Sequence, residues 1–137
     1  MKLVLRLFAA LPRGLVAAVA LVALAHGAAA QAPAQPPAGM DTALKNMLSA
    51  VQAGSVADFT APGDASFKGG MNQAMFEQMR AQLAPRLAQG YTATFLGTLR
   101  QRGLVVCLWK LEFKDGKDDR LVTMAVNGGK VVGFFLQ

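Results

Sequence analysis

The run Leu-Val-Val-Cys-Leu-Trp-Lys-Leu-Glu-Phe-Lys, residues 104–114, constrains the fold more than any other part of the sequence. It holds the only Trp and the only Cys of the chain. Successive side chains of a strand point to opposite faces of a sheet. One face of this run is apolar throughout, and the other becomes charged at Lys110 and Glu112. The pattern predicts a central antiparallel strand whose apolar face packs against helices.

The first 30 residues have the three-part layout of a secretory signal peptide. Lys2, Arg6 and Arg13 form a basic start, Gly14 to Ala25 carries no charge, and an Ala-x-Ala pattern ends at Ala30. The apolar run is shorter than the roughly 20 residues of a membrane span, which argues against a membrane anchor. No Cys follows the small residues, which argues against a lipoprotein anchor. The sequence therefore predicts cleavage after Ala30. The intact mass of the protein from a secreting host tests this, since a mature protein that retains Met1 to Ala30 would contradict it. The processed protein is expected to be periplasmic or secreted, without stable membrane insertion.

Cleavage changes the chemistry that is available to the protein. Removal of the first 30 of the 137 residues leaves 107, and the net charge falls from +6 to +3. The only histidine, His26, is lost, and imidazole is the usual metal ligand and general base near neutral pH. No metal and no cofactor is therefore predicted. The basic residues form no stripe with interleaved aromatics, so no nucleic-acid partner is predicted either.

Residues 31–39 are interpreted as a Pro/Ala linker, and residues 40–137 as one α+β domain. Helical spacing of apolar residues predicts a first helix over Asp41 to Ala53, capped by Asp41 or Thr42 and closed by Gly54. A short helix is predicted after Ser55, followed by an edge strand over Asp64 to Lys68. A further helix is capped by Asn72, and Pro85 is expected to end or kink it near Ala84. Four strands are predicted over Tyr91–Arg100, Leu104–Lys114, Arg120–Val126 and Val131–Leu136.

Turn residues and alternation refine the predicted sheet. Asn127-Gly128-Gly129 is a strong hairpin signal, because these residues tolerate positive φ. The strand that begins at Tyr91 is expected to point one set of alternating residues inward: Tyr91, Ala93, Phe95, Gly97 and Leu99.

One further residue and one group of acidic residues have simple interpretations. Cys107 is expected to be a small buried hydrophobe, with a reactive thiol or an intermolecular bridge as the alternatives. Asp115, Asp118 and Asp119 lack the spacing of a calcium loop, so a solvated hairpin turn is predicted.

Three stretches resemble small exported members of the nuclear transport factor 2-like superfamily. They are Val-Gln-Ala-Gly-Ser-Val-Ala-Asp-Phe (51–59), Leu-Trp-Lys-Leu-Glu-Phe-Lys-Asp-Gly (108–116) and Asn-Gly-Gly-Lys-Val-Val-Gly-Phe-Phe (127–135). The resemblance covers residues 40–137. It implies a cone in which N-terminal helices pack on a curved antiparallel sheet around an internal pocket. The superfamily contains both enzymes and non-catalytic binding modules, so the fold alone selects no function.

The favoured function is a non-catalytic binding or protein-interaction module with an apolar pocket for a small molecule or a protein partner. The residues expected to line this pocket are Phe76, Met79, Tyr91, Phe95, Cys107 and Trp109.

The alternative is a small isomerase, dehydratase or cyclase-type enzyme. Catalytic members of the superfamily rely on a pocket Asp or His, often with a Tyr donor, and the resemblance then implies Asp58 or Asp64 with Tyr91. Each of the three also has a simpler role. Asp58 fits the first turn of a helix, Asp64 fits a turn, and Tyr91 fits an inward-facing aromatic.

An apolar group on the outward face of the predicted sheet indicates a partner surface. The sequence predicts a homodimer through this surface, with cover by the linker or by the last strand as the alternative. The residues of the predicted interface are Leu96, Leu104, Val106 and Leu108.

Overall fold

The computed structural model describes residues 32–137, which form one compact unit, Ala32–Gln137. The predicted signal peptide lies outside the described residues. Residues 32–39 have no regular secondary structure, and all of them except Pro36 are exposed. In the described part of the chain, no helix is long and apolar enough to cross a bilayer.

Helices precede a four-stranded antiparallel sheet in residues 32–137, so the predicted α+β class is confirmed. The helices are α1 (Met40–Ala53), α2 (Val56–Thr60), α3 (Ala65–Gly70) and α4 (Gln73–Ala88). The strands are β1 (Tyr91–Gln101), β2 (Leu104–Phe113), β3 (Arg120–Asn127) and β4 (Lys130–Leu136). Their order in the sheet follows the chain, β1-β2-β3-β4. β2 is therefore a central strand, as the sequence predicts.

Helix α1 supplies one continuous apolar stripe to the core. The predicted stripe is confirmed, since its four members have no exposed surface: Leu44, Met47, Leu48 and Val51. Gly54 ends the helix with φ 75°, also as predicted. The predicted N-terminal cap is wrong. The cap is Gly39 rather than Asp41 or Thr42, because the helix already includes the buried Met40, whose N–H bonds to Pro37 O at 3.0 Å.

Side-chain caps define the starts of the next three helices. Ser55 Oγ accepts a hydrogen bond from Asp58 N at 3.2 Å, and Asn72 Oδ1 accepts one from Met75 N at 2.9 Å, so both predicted caps are confirmed. Asp64 is also a cap, and its Oδ1 accepts from Phe67 N at 2.8 Å. The predicted edge strand over Asp64 to Lys68 is therefore wrong. The cap starts α3, which buries Phe67.

Pro85 does not end α4, so this half of the prediction is wrong, since the helix continues to Ala88. The alternative, a kink near Ala84, stays a prediction. Proline lacks an N–H and costs one helical hydrogen bond. The turn after it is held from outside the helix: Leu83 and Leu87, on either side of Pro85, are both buried in the core. Tertiary packing thus outweighs the local preference of the proline.

A β-bulge in β1 changes which face its second half presents. Phe95 pairs with Trp109 and Gly97 pairs with Leu108, so Leu96 is an extra residue between them. Leu99 consequently pairs with Val106 and shares its face, since directly opposed residues lie on one side of a sheet. The prediction that Leu99 points inward is wrong for this reason.

An ion pair fastens the end of α4 to the turn between β2 and β3. Arg86 Nε donates to Asp115 Oδ2 at 2.6 Å, and its Nη2 donates to Asp115 Oδ1 at 3.2 Å and to Asp118 O at 2.7 Å. The guanidinium also stacks 3.9 Å above the ring centroid of Phe113. The side chain of Asp115 is only 5 % exposed, so the predicted solvated turn is wrong at this residue, whereas Asp118 and Asp119 are exposed.

The hydrogen bond from Arg86, with one from Lys117 N, lowers the pKa of Asp115 to about 2. An unfolded Asp has a pKa of about 3.9. The ion pair therefore stabilises the fold above about pH 4, and this contribution is lost as the pH falls from about 4 to about 2.

We predict that Asp115→Asn lowers the thermal midpoint at neutral pH, because Arg86 then lacks a carboxylate partner. The variant should also lose less stability than the wild type between about pH 4 and about pH 2, measured by circular dichroism. Asp119→Asn is the matched control, since Asp119 is exposed and forms no ion pair in residues 32–137. An unchanged pH profile in Asp115→Asn would contradict the role of the ion pair.

Candidate functional site

The six predicted pocket residues belong to one packed group between the helices and the sheet. Phe76, Cys107 and Trp109 have no exposed surface and form part of the core cluster. Met79, Tyr91 and Phe95 are partly buried and pack against this cluster. Of the six, Met79 lines a surface cavity, of about 340 Å³, beside β4. The structure thus brings the six residues together, and their role as the lining of an apolar pocket stays a prediction.

Trp109 occupies the centre of this group. Its ring lies edge-on to that of Phe95, with the ring centroids 5.1 Å apart. The indole Nε1 is buried and has no hydrogen-bond partner among the described residues. Such an unpaired donor is unfavourable in a protein interior. Cys107 lies in the same row of β2, paired with Thr98 of β1, and burial raises the pKa of its thiol. Trp109 and Cys107 both lie on the inner face of β2, as the alternation in the sequence predicts.

We predict that Trp109→Ala lowers the free energy of unfolding by about 3–5 kcal/mol, because a large buried ring is replaced by a cavity. Urea denaturation followed by circular dichroism measures the loss. Trp109→Phe should cost less, since it keeps an aromatic ring and removes the unpaired N–H. A loss below about 1 kcal/mol for the alanine variant would show that Trp109 is not a core residue.

The three residues of the enzyme alternative have separate surroundings. Asp58 is exposed and lines a cavity of about 580 Å³ between α1 and α2, with Asn46 and Ser49. Asp64 is half-buried and caps α3 through Oδ1. Burial raises the pKa of Tyr91, and the charged group that acts on this pKa is Lys45, neither Asp58 nor Asp64. This arrangement supplies no acid paired with the Tyr91 hydroxyl.

Metal-ligating side chains are dispersed in the described part of the chain. Residues 32–137 contain no group of three or more His, Cys, Asp or Glu residues placed to hold a metal ion.

The outer face of the sheet is the second apolar surface of the domain, opposite the helices. Register places Leu99, Val106, Ala125 and Gly133 in one row across all four strands. Val106 is 4 % and Ala125 is 9 % exposed. Neither belongs to the core cluster that the helices form with the inner face. Their burial therefore comes from neighbours on the outer face itself.

Large apolar side chains remain open to solvent on this outer face. Leu96 is 51 %, Leu99 38 % and Phe135 61 % exposed. Phe135 pairs with Thr123, which pairs with Leu108, so its ring belongs to the same face. The other large hydrophobic residue that is comparably exposed in residues 32–137 is Met75 of α4, at 50 %. Exposed apolar residues concentrated on one face of a sheet are typical of interaction surfaces.

A groove of about 520 Å³ crosses the outer face. Its apolar floor consists of Leu104 and Val106 of β2, Ala125 of β3 and Phe135 of β4. Gly133 allows the Phe135 ring to lie over the sheet, since a Cβ on Gly133 would approach the ring carbon Cε2 to 3.3 Å. Volumes of about 300–1,000 Å³ are typical of small-molecule sites. We call this surface the outer-face groove.

Sequence reasoning found part of this surface and missed the rest. The predicted interface residues Leu96, Leu104, Val106 and Leu108 all lie on or beside the outer face. Leu99 and Phe135 were missed. Gly97 carried the signal for Leu99, because an isolated Gly inside a strand pattern indicates a bulge. The alternation of β4 placed Phe135 opposite Phe134, but two adjacent phenylalanines give no preference for either face.

No protein-family model, curated protein or solved structure matches this chain, so the site rests on the geometry of its own residues.

Proposed function

We propose that this chain is an exported, non-catalytic binding module, a small relative of the nuclear transport factor 2-like proteins, and that it binds through the outer face of its sheet. The observation that carries the proposal is the cluster of exposed Leu96, Leu99 and Phe135 on a face that no helix of the core cluster covers. Water-exposed apolar area of this kind is unfavourable unless a partner covers it.

The surroundings of the candidate catalytic residues also favour binding over catalysis. A general base needs hydrogen-bond reach to its substrate and a pKa matched to its task. Asp64 already accepts a backbone N–H, and Asp58 is exposed in the first turn of α2. The enzyme alternative with Asp58, Asp64 and Tyr91 therefore has less support than the binding proposal.

We predict that an uncharged apolar dye, Nile red, binds the exported protein and that Phe135→Ser weakens its binding by about tenfold, because a phenyl ring loses its burial against the dye. Titration with fluorescence detection measures the affinity. Met75→Ser is the matched control, since Met75 is similarly exposed but lies on α4. Equal weakening by both substitutions would contradict the assignment of binding to the outer face.

A homodimer is the second candidate, favoured by the spread of apolar residues along both strands of the β1–β2 hairpin. An isologous dimer pairs the same patch of two copies. Leu96, Leu104, Val106 and Leu108 would then lie at its centre.

If the outer face serves dimerisation instead of ligand binding, we predict that the exported protein sediments as a dimer at high micromolar concentration and that Leu108→Glu converts it to a monomer, because a buried unpaired charge is strongly unfavourable. Analytical ultracentrifugation measures the mass. The control is Lys45→Glu, a charge change at an exposed position of α1. A wild-type protein that is monomeric throughout would rule out the homodimer and leave the outer face to another ligand.

A further inference from the structure

The outer-face groove has a polar boundary that contains one charged side chain. Besides its apolar floor, the groove is lined by Gln101, Arg102, Thr123 and Gln137. Arg102 is the only ionisable side chain among the lining residues, and the others are uncharged amides or a hydroxyl. A groove with an apolar floor and one cation at its boundary is complementary to an amphipathic anion.

Other charges on the sheet do not neutralise Arg102. In residues 32–137, Arg102 takes part in no ion pair. Lys110 and Glu112, at the charged end of the same face, pair with each other at 3.1 Å. Arg100 is exposed but pairs in register with Val105, on the opposite face of the sheet. Arg102 is thus the unpaired cation that faces the groove.

The backbone of Arg102 is unusual. Its φ is 51°, and it is the only non-glycine residue with positive φ in the described part of the chain. Arg102 and Gly103 form the two-residue turn between β1 and β2, where Asn, Asp or Gly is favoured at both positions. An arginine here is an unfavourable choice for the turn, and such conformations concentrate at ligand sites. The conformation places the side chain at the end of the groove.

We propose that the outer-face groove binds a free monocarboxylate with an unbranched apolar chain. The inference rests on the proposed function, that the outer face is the binding surface. The guanidinium of Arg102 binds the carboxylate through two parallel hydrogen bonds, the geometry for which arginine is suited. The chain lies along Val106 and Ala125 towards the ring of Phe135. A single arginine matches a single negative charge, which favours a monocarboxylate over a phosphate monoester with its higher charge.

The test compares octanoate with 1-octanol, which has the same chain length without the charge, by isothermal titration calorimetry on the exported protein. Octanoate is expected to bind about tenfold more tightly, because a charge-assisted bidentate contact is added. Arg102→Gln should abolish this difference by weakening octanoate alone. Arg100→Gln is the matched control, with the same loss of charge two residues earlier in the chain, on the other face of the sheet. The emission of Trp109, the only Trp, reports whether each variant is folded.

Each other outcome overturns the inference. If both ligands bind equally and Phe135→Ser weakens both, the outer face is a binding surface without carboxylate selectivity. If Arg100→Gln acts as strongly as Arg102→Gln, the preference arises from overall charge. If neither ligand binds and the protein is dimeric, a second copy covers the groove. If neither binds a monomer that still binds Nile red through Phe135, the binding module stands and its ligand is a different one.

Discussion

The domain depends on one row of side chains on the inner face of β2. Cys107, Trp109 and Leu111 have no exposed surface, and β2 is bonded to a strand on each side. This row therefore contacts the helix layer and both neighbouring strands at once. The burial of one face is so complete because all helices of the core cluster pack there. The opposite face consequently has no helix of the core cluster to cover it, and several of its apolar residues are exposed.

A second constraint closes the helix layer onto the sheet. The ion pair of Arg86 and Asp115 joins residues that are 29 positions apart in the chain. It holds the last turn of α4 beside the turn between β2 and β3, and the stacked ring of Phe113 shields it from water on one side. The position of this pair explains why α4 tolerates Pro85: the helix end is anchored by contacts with the sheet as well as by its own hydrogen bonds.

Much of the fold could be predicted because its signals are local. The stripe of α1, the caps Ser55 and Asn72, and the Asn127 hairpin each follow from a few neighbouring residues. The errors arose where distant contacts decide. Nothing local to Asp115 indicates Arg86 as its partner, and nothing local to Pro85 indicates that the helix continues. The candidate site was predicted only in part, since the orientation of Leu99 depends on the bulge and that of Phe135 depends on its pairing with β3.

The bulge in β1 also has a consequence for how such a surface can arise. Leu96 is accommodated as one extra residue because the register with β2 shifts by one residue between Phe95 and Gly97, so the residues on either side still pair with neighbouring residues of β2. Gly97, with φ 145°, provides the backbone conformation that this extra residue requires. A one-residue insertion can thus add a leucine to the outside of the sheet without displacing any core side chain. Related sequences could then differ on this face in two ways: by substitution of its residues, and by the presence or absence of one extra residue in β1.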